Sequence, residues 1–299
     1  MKLFLLITAL GCSVLQAGSA AYLAEGKRVI RCSEQGLWLK SLVDFSEVPV
    51  KYPKGFSPGW SSVTRLPDGA ILVASGAKAM TWDPTSEKWN LFCTAPKEKT
   101  FEDVACDPKS GKIVFICGDD ERHIIWYVWE KEKKMLVHVF NRRAGGAEYP
   151  VFDVEGNLYF CREGDIWKGS LDCYEEKNKT RAVLNGSRIW PLGEHETYEG
   201  NTSGEGAEEV APMTGWLLVT RKRMNGSGWG SLVRVPNADA YKERLPLKWE
   251  NLADVEGGGL LALSPDGKQA VAYITAQHRW FLLEKPDGEL LPLPSSEKK

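Results

Sequence analysis

One short unit, a turn that ends in glycine followed by an apolar strand, occurs six times in this 299-residue chain. Successive glycines of the unit are 43, 42, 45, 59 and 52 residues apart. They are Gly26, Gly69, Gly111, Gly156, Gly215 and Gly267. Glycine supplies the positive φ that a tight hairpin needs, and the Asp, Glu, Ser or Thr before it can bond to nearby backbone amides. A repeat of about 40–50 residues is typical of radially repeated four-stranded sheets.

Two further strands are predicted after each hairpin. The third strands are Leu37–Lys40, Met80–Asp83, Ile125–Val128, Ile166–Gly169, Leu232–Val235 and Trp280–Leu283. The fourth strands are Glu47–Val50, Lys88–Leu91, Met135–His138, Arg181–Leu184, Leu245–Lys248 and Leu290–Leu293. Prolines fall on the fourth strand, which suits an outer edge without a further partner. The sequence therefore predicts an all-β fold, a six-bladed β-propeller with four antiparallel strands per blade.

One repeat carries a motif with a family resemblance. The run Leu263-Ser264-Pro265-Asp266-Gly267-Lys268 resembles the signature of TolB-like (PD40, WD40-like) propellers, and Leu66–Gly69 is a weaker copy of it. The segment Glu148–Phe160 is similar to part of the gluconolactonase-type propellers. The resemblance implies the propeller fold over residues 20–295. It implies little about function, because propellers serve many unrelated functions.

The first residues have the pattern of a leader. Lys2 precedes the apolar run Leu3–Leu10, and small residues follow at Ala17–Ala20. A positive start, a short apolar core and small residues at the exit are typical of a cleaved signal peptide. We therefore expect residues 1–20 to be a signal peptide and the protein to be secreted or periplasmic.

The rest of the chain is expected to be a single propeller domain over residues 21–295, with a polar tail at 296–299. A lipid anchor at Cys12 is not expected, because Ala9 is a poor match to the third position before the cysteine of a lipoprotein box. No later stretch approaches the ~20 apolar residues of a membrane span.

Charge and cysteine content narrow the function classes. The formal net charge is −2 and no long basic run occurs, so no nucleic-acid partner is expected. The six cysteines after Cys12 form an even number, which in an exported chain permits disulfides. Several recur at similar places in successive repeats, and this favours buried free thiols. The pairing is left open.

Acidic residues stand where three consecutive inner strands begin. They are Glu102, Asp103, Glu148, Glu208 and Glu209. Inner strands of a propeller converge on one axis, so these carboxylates are predicted to meet at one channel mouth and contact the ligand. Such a group could hold Ca²⁺, which prefers several oxygen ligands, with Glu148 and Glu208 as metal ligands, or it could equally hold a cationic ligand. The alternative is that each acid is solvated or pairs with a nearby arginine.

Aromatic and histidine side chains are predicted near the same face. Tyr149 and Trp60 could stack on a sugar or contact a peptide. His123, His195 and His278 fall in loops of this face, and they lack short metal-ligand spacing. We expect all five residues to contribute to ligand binding.

Two functions follow from this pattern. The first is an exported, non-enzymatic propeller that binds a protein, peptide or carbohydrate ligand at the channel mouth. The alternative is a calcium-dependent enzyme of lactonase or lyase type with an acid-lined central site. No Ser-His-Asp order or phosphate loop assigns a catalytic residue. An enzyme would need its acids to converge on one cavity, whereas a binding platform would spread them around a broad rim.

Overall fold

A computed structural model provides the structure of the protein. It describes residues 19–33, 36–56, 61–118, 124–141, 147–162, 164–176, 179–190, 205–223, 229–240, 242–245, 249–256 and 259–294. The predicted signal peptide and polar tail therefore lie almost entirely outside the described residues. Ser19 and Ala20 are the exceptions, because both belong to the folded chain.

The described residues form 24 β-strands and no helix, so none of them lies in a helix long and apolar enough to cross a membrane. The first twelve are β1 (Ala20–Tyr22), β2 (Arg28–Ser33), β3 (Gly36–Ser41), β4 (Glu47–Pro49), β5 (Ser62–Arg65), β6 (Ile71–Ser75), β7 (Lys78–Asp83), β8 (Lys88–Thr94), β9 (Thr100–Cys106), β10 (Ile113–Gly118), β11 (Ile125–Glu130) and β12 (Met135–Asn141). The others are β13 (Ala147–Phe152), β14 (Leu158–Arg162), β15 (Asp165–Glu176), β16 (Lys179–Trp190), β17 (Glu205–Met213), β18 (Trp216–Arg223), β19 (Trp229–Pro236), β20 (Glu250–Glu256), β21 (Gly259–Leu263), β22 (Ala270–Ile274), β23 (Arg279–Leu283) and β24 (Leu290–Pro292).

The strands form antiparallel units of four in chain order. Four sheets contain β1–β4, β5–β8, β17–β20 and β21–β24, and one eight-stranded sheet contains β9–β16. The first strand of each unit (β1, β5, β9, β13, β17 and β21) is called an inner strand here. Each inner strand contacts the next, and β21 contacts β1, so the inner strands close a ring. One predicted fourth strand is wrong. In the fifth unit the outer strand that pairs with β19 is β20, Glu250–Glu256; of the predicted segment Leu245–Lys248, only Leu245 is among the described residues.

The hydrophobic core is divided among the gaps between neighbouring four-stranded units. The cluster between β1–β4 and β5–β8, for example, packs Ile30 and Leu37 against Val73 and Trp82. The cluster between the last and first units packs Trp280 against Tyr22. Each unit therefore buries its two faces only against its neighbours.

An extended hairpin joins the third and fourth units. Its strands β15 and β16 are 12 residues long, and Ala182–Leu184 of β16 pairs in parallel with Val139–Asn141 of β12. Leu171 is buried in the shared core, and its carbonyl accepts a 2.6 Å hydrogen bond from Lys112 Nζ. The hairpin thus covers the edge of β12, which would otherwise present unpaired backbone groups.

The seam between the first and last units is closed by side chains. Arg31 Nε donates to Glu47 Oε1 at 2.7 Å, and its guanidinium lies 4.3 Å from the ring centroid of Tyr273. The buried Lys40 Nζ donates to the carbonyls of Phe45 at 2.6 Å and Pro294 at 3.4 Å. Among the described strands, β1–β4 and β21–β24 exchange no strand.

Repeat glycines bring the turns after the inner strands together. Gly69 packs within 3.4 Å of Ala24, and Gly111 within 3.5 Å of Pro67, if each glycine is given a Cβ. A Cβ on Gly156 would lie 2.8 Å from Asp107 Oδ1. Each of these contacts joins one turn to the turn of the preceding unit, so positive φ and tight packing both require glycine.

Two of these glycines form a matched pair for mutation. Gly156 (φ +84°) and Gly215 (φ +77°) both have left-handed backbone, but only Gly156 faces a neighbour within 4 Å. Each Ala substitution should cost about 1 kcal/mol of unfolding free energy for the strained φ. Gly156→Ala should lower the unfolding free energy by at least about 1 kcal/mol more than Gly215→Ala does. The new methyl group would displace the Asp107 carboxylate, which accepts hydrogen bonds from Lys109 N and Ser110 Oγ. Urea denaturation measures the unfolding free energy of both variants. Equal losses of unfolding free energy would contradict the packing role of Gly156.

Candidate functional site

The three inner strands that carry the predicted acids are neighbours in the ring. β9 brings Glu102 and Asp103, β13 brings Glu148, and β17 brings Glu208 and Glu209. Glu102, Glu148 and Glu208 lie in the first half of their strands, and Asp103 and Glu209 lie at the midpoints, so all five are separated from the glycine turns that follow these strands. These five residues are called the acidic cluster. The structure thus brings together the carboxylates that the sequence spread over more than a hundred positions.

Asp103 is held by its neighbours on two strands. Its Oδ1 atom accepts hydrogen bonds from Ser62 Oγ at 2.5 Å and from its own neighbour Val104 N at 2.7 Å. Burial raises the pKa of Asp103 to about 7, and repulsion from Glu148 and Glu102 adds to the shift against the opposing effect of the two hydrogen bonds. A carboxyl with this pKa exchanges its proton near neutral pH.

Glu209 has a more enclosed place. Its Oε2 atom accepts a 2.7 Å hydrogen bond from Leu261 N on the next inner strand, and its own N–H donates to Thr220 Oγ1 at 3.0 Å. Burial raises the pKa of Glu209 well above its usual value, although the bond from Leu261 lowers it, and Glu208 and Asp103 raise it further.

A β-bulge places Glu148 and Tyr149 at the centre of the cluster. The pairing of β13 with β14 shifts between Glu148 and Val151, and Tyr149 has a positive φ of 55°. Burial raises the pKa of Glu148, and repulsion from Glu102 and Glu208 adds to it. Burial raises the pKa of the Tyr149 hydroxyl well above its usual value, and carboxylates from β9, β13 and β17 add to that rise. Tyr149 therefore lies among the carboxylates, and its contact with a ligand remains a prediction.

Several members of the cluster repel one another. The groups whose charges raise the pKa values of Asp103, Glu148 and Glu209 are all carboxylates. The Glu102 carboxyl lies against Gly118, where an added Cβ would come within 1.8 Å of Glu102 Oε1. Because Gly118 has no side chain, the Glu102 carboxylate can occupy the space beside it.

Among the described residues, no group of three or more His, Cys, Asp and Glu side chains is close enough to hold a metal ion. The assignment of Glu148 and Glu208 as Ca²⁺ ligands remains a prediction. Oxygen donors of the kind that Ca²⁺ prefers are present at the cluster, from residues on three strands.

The remaining predicted ligand residues are not in the cluster or cannot be placed. His278 lies in the turn between β22 and β23, exposed, with Nδ1 3.1 Å from the Tyr273 hydroxyl. Trp60, His123 and His195 lie outside the described residues. The six cysteines after Cys12 are all free, and four of them are buried.

Sequence reasoning missed the serines beside the acids. Ser19 Oγ lies 3.2 Å from Ser62 Oγ, and Ser62 Oγ also accepts a 3.1 Å hydrogen bond from Val104 N. The only signal in the sequence was the placing of small polar residues at the starts of the first two inner strands. That signal is weak, because serine is common in loops.

Solved structures of low sequence identity share this fold. A candidate TolB from Agrobacterium tumefaciens matches with a TM-score of 0.57 and 13% identity, over 93% of this chain and 91% of that one. The calcium-binding protein regucalcin from the same organism matches with a TM-score of 0.58 and 12% identity, over 85% and 80%. Oligogalacturonate lyase from Vibrio parahaemolyticus matches with a TM-score of 0.51 and 12% identity, over 95% and 79%.

No family model matches the chain, and no curated protein matches it. The similarities to solved structures therefore establish the fold alone. The chain has an all-β, β-propeller fold, with structural neighbours that include enzymes and a TolB-type protein.

The raised pKa values predict how stability depends on pH. An unfolded Asp has a pKa near 3.9, so between about pH 4 and pH 7 the folded state holds more protons at Asp103 than the unfolded state. The stability from this group is therefore complete below about pH 4 and is lost as the pH rises to 7. Glu148 and Glu209 act in the same direction.

We expect the Tm to fall between pH 5 and pH 8, with a loss of unfolding free energy on the order of a few kcal/mol. Asp103→Asn should flatten the profile, and Asp287→Asn, at an exposed position in the turn before β24, should leave it unchanged. Scanning calorimetry across this range makes the measurement. A Tm that rises with pH, or a slope unaltered in Asp103→Asn, would contradict the assignment.

Proposed function

We propose that this chain is an exported β-propeller that binds a protein or peptide ligand through a positively charged side chain of that ligand. The acidic cluster at the start of the inner strands receives this side chain. One observation carries the proposal: carboxylates from β9, β13 and β17 are held together at one end of the ring, and each raises the pKa of another.

Electrostatics favour a cationic ligand group at this place. Neighbouring carboxylates repel, and a cation between them removes that repulsion and favours their charged forms. Tyr149 adds an aromatic ring, which can also attract a cation. A ligand ammonium or guanidinium would interact favourably with both the carboxylates and the ring. Because the strands already hold these groups in place, binding would lose little conformational entropy on the protein side.

Six four-stranded blades are the architecture we propose for this site. The eight-stranded sheet then represents the third and fourth blades, joined outside the ring by the pairing of β12 with β16. The ring of inner strands and the six glycine turns support this count. On this architecture the acidic cluster lies at the channel mouth formed by the third to fifth blades.

Export rests on the leader pattern of the first 20 residues. Because Ser19 bonds to Val63 N at 2.6 Å, we propose that processing leaves Ser19 in the mature chain. N-terminal sequencing of the exported protein tests this. A first residue beyond Ser19 would contradict it.

The second candidate function is a calcium-dependent enzyme of lactonase or lyase type. Two observations favour it over other enzymes: the oxygen-rich cluster, and the similarity in fold to a calcium-binding protein and to an oligogalacturonate lyase. In that case Glu148 and Glu208 would contribute to holding Ca²⁺, which would polarise a substrate oxygen as a Lewis acid. Asp103 would be placed to accept or donate a proton.

Glu148→Gln separates these functions when three probes are used: a penta-lysine peptide, a penta-glutamate peptide and Ca²⁺. The wild type should bind penta-lysine with an affinity that falls as salt rises. Glu148→Gln should weaken this binding about 10-fold or more, because a ligand charge loses its partner. The same change should raise the Tm of the ligand-free protein, because it removes repulsion within the cluster.

Isothermal titration calorimetry and thermal unfolding make these measurements. The matched control is Glu132→Gln, at an exposed position in the turn between β11 and β12. It should change neither the affinity for penta-lysine nor the Tm of the ligand-free protein. Stabilisation by Ca²⁺ without peptide binding would favour the second candidate. If neither penta-lysine nor Ca²⁺ binds, the proposed role of the cluster is wrong.

A further inference from the structure

The strand register places one residue of several inner strands at a common height in the ring. The last ladder pairs of β5, β9, β13 and β21 are Arg65–Ile71, Cys106–Ile113, Phe152–Leu158 and Leu263–Ala270. Two residues before the inner member of each pair stand Val63, Val104, Pro150 and Leu261. Val63, Val104 and Leu261 pair there with Val73, Phe115 and Ala272, and Pro150 reaches the same level within the bulge between Glu148 and Val151.

At three of these positions the backbone N–H donates to a side chain from the preceding unit. Val63 N donates to Ser19 Oγ at 2.6 Å, and Val104 N donates to Ser62 Oγ at 3.1 Å. Leu261 N donates to Glu209 Oε2 at 2.7 Å. We call this bond the inner latch. It joins neighbouring inner strands at the level of the acidic cluster.

The fourth position cannot form an inner latch. Pro150 has no backbone N–H. The residue of the preceding unit that corresponds to Ser62 is Asp103, since each stands directly before a latch position. The hydrogen bonds of Asp103 end on Oδ1, where Ser62 Oγ and Val104 N donate. The carboxylate is thus oriented through one oxygen, and within the described part of the chain no latch engages the other.

We propose that Pro150 keeps Asp103 out of an inner latch, so that Asp103 Oδ2 is the carboxylate oxygen that contacts the cationic group of the ligand. This inference rests on the binding function proposed above and adds to it. Glu209, although in the same cluster, serves the structure as a latch acceptor. Pro150 is a positioning residue, because it acts through Asp103.

The outer pairing at the same seam supports this division of roles. The unit that ends in β12 and the unit that begins with β13 are the only neighbouring units whose outer strands pair among the described residues. That pairing joins the third and fourth units from outside. The seam can therefore hold without the inner latch, and Asp103 needs no structural bond to the fourth unit.

Several ionisable groups act on Asp103 or lie close to it. Glu102 of its own strand and Glu148 of β13 raise its pKa. From the other strands, Asp103 in turn raises the pKa values of Glu209 of β17, Tyr149 of β13, Cys161 of β14 and Cys32 of β2. A ligand cation at Asp103 Oδ2 would therefore reduce the repulsion that Glu102 and Glu148 exert on Asp103.

Pro150→Ala tests the inference, because it restores an N–H at the fourth position. We expect this N–H to donate to Asp103 and form the missing latch. In a double-mutant cycle, the Tm change caused by Pro150→Ala should be about 2–4 °C more favourable in the Asp103 background than in the Asp103→Ala background. Pro212→Ala, in the inner strand β17, corrects for the general effect of replacing a proline.

Ligand binding provides the second readout. Pro150→Ala should weaken penta-lysine binding about 10-fold while Pro212→Ala leaves it unchanged, since a latched Asp103 no longer presents its carboxylate. Asp103→Asn should weaken binding more than Glu209→Gln does. If Asp103→Ala does not fold, hydrogen exchange of the residue-150 amide in Pro150→Ala replaces the cycle, and slow exchange is expected.

The outcomes separate this inference from the proposed function. No coupling between positions 150 and 103, or a fast-exchanging amide at residue 150, would overturn the assignment of Pro150. Coupling without loss of affinity in Pro150→Ala would overturn the assignment of Asp103 as the ligand contact. If the wild type binds no penta-lysine, the proposed function fails, while the cycle still decides whether the latch forms.

Discussion

Closure of the inner strands into a ring is the constraint on which the rest of this structure depends. Each unit of four strands buries both faces only against its neighbours, so no unit has a core of its own. Opening one seam would expose two faces at once, and this makes the last seam as important as the others. There a buried lysine, Lys40, and the Arg31–Glu47 pair replace the strand exchange that could otherwise close the ring. Removing the partner of a buried charged group is costly, because the charge that remains is unpaired and shielded from water.

Ring closure also explains why the acidic cluster is chemically unusual. Strands that start at one end of a closed ring bring their first residues into the same small space, and backbone pairing prevents them from moving apart. Carboxylates that would be solvated on an open surface, such as Glu148 and Glu209, are therefore partly desolvated beside one another. Burial and mutual repulsion both disfavour the charged forms and raise the pKa values of these carboxyl groups. A cation would remove much of the repulsion, so the arrangement that destabilises the empty protein is the one that would favour binding.

On the proposed function, structural and ligand-binding roles are divided between members of the cluster. The Glu209 carboxylate accepts a hydrogen bond from Leu261 N and so links two units. Asp103 stands before a position where the next strand offers proline, so its carboxylate is not used in that way. The parallel pairing of β12 with β16 strengthens the same seam from outside. A single residue without an N–H can thus decide whether a carboxylate holds the fold together or faces a ligand.

The sequence by itself determined the repeat, because glycine turns and alternating apolar residues are local signals that need no knowledge of the fold. The glycine turns and the six predicted third strands were confirmed. The acids were predicted to meet because they lie on neighbouring inner strands. The predicted fourth strand of the fifth unit was wrong, because a segment further along the chain, β20, pairs with β19. Only the tertiary structure could decide the roles of Ser62, Glu209 and Pro150. Those roles depend on which N–H lies opposite which side chain across a seam, and residues that meet there are some forty to fifty positions apart in the chain.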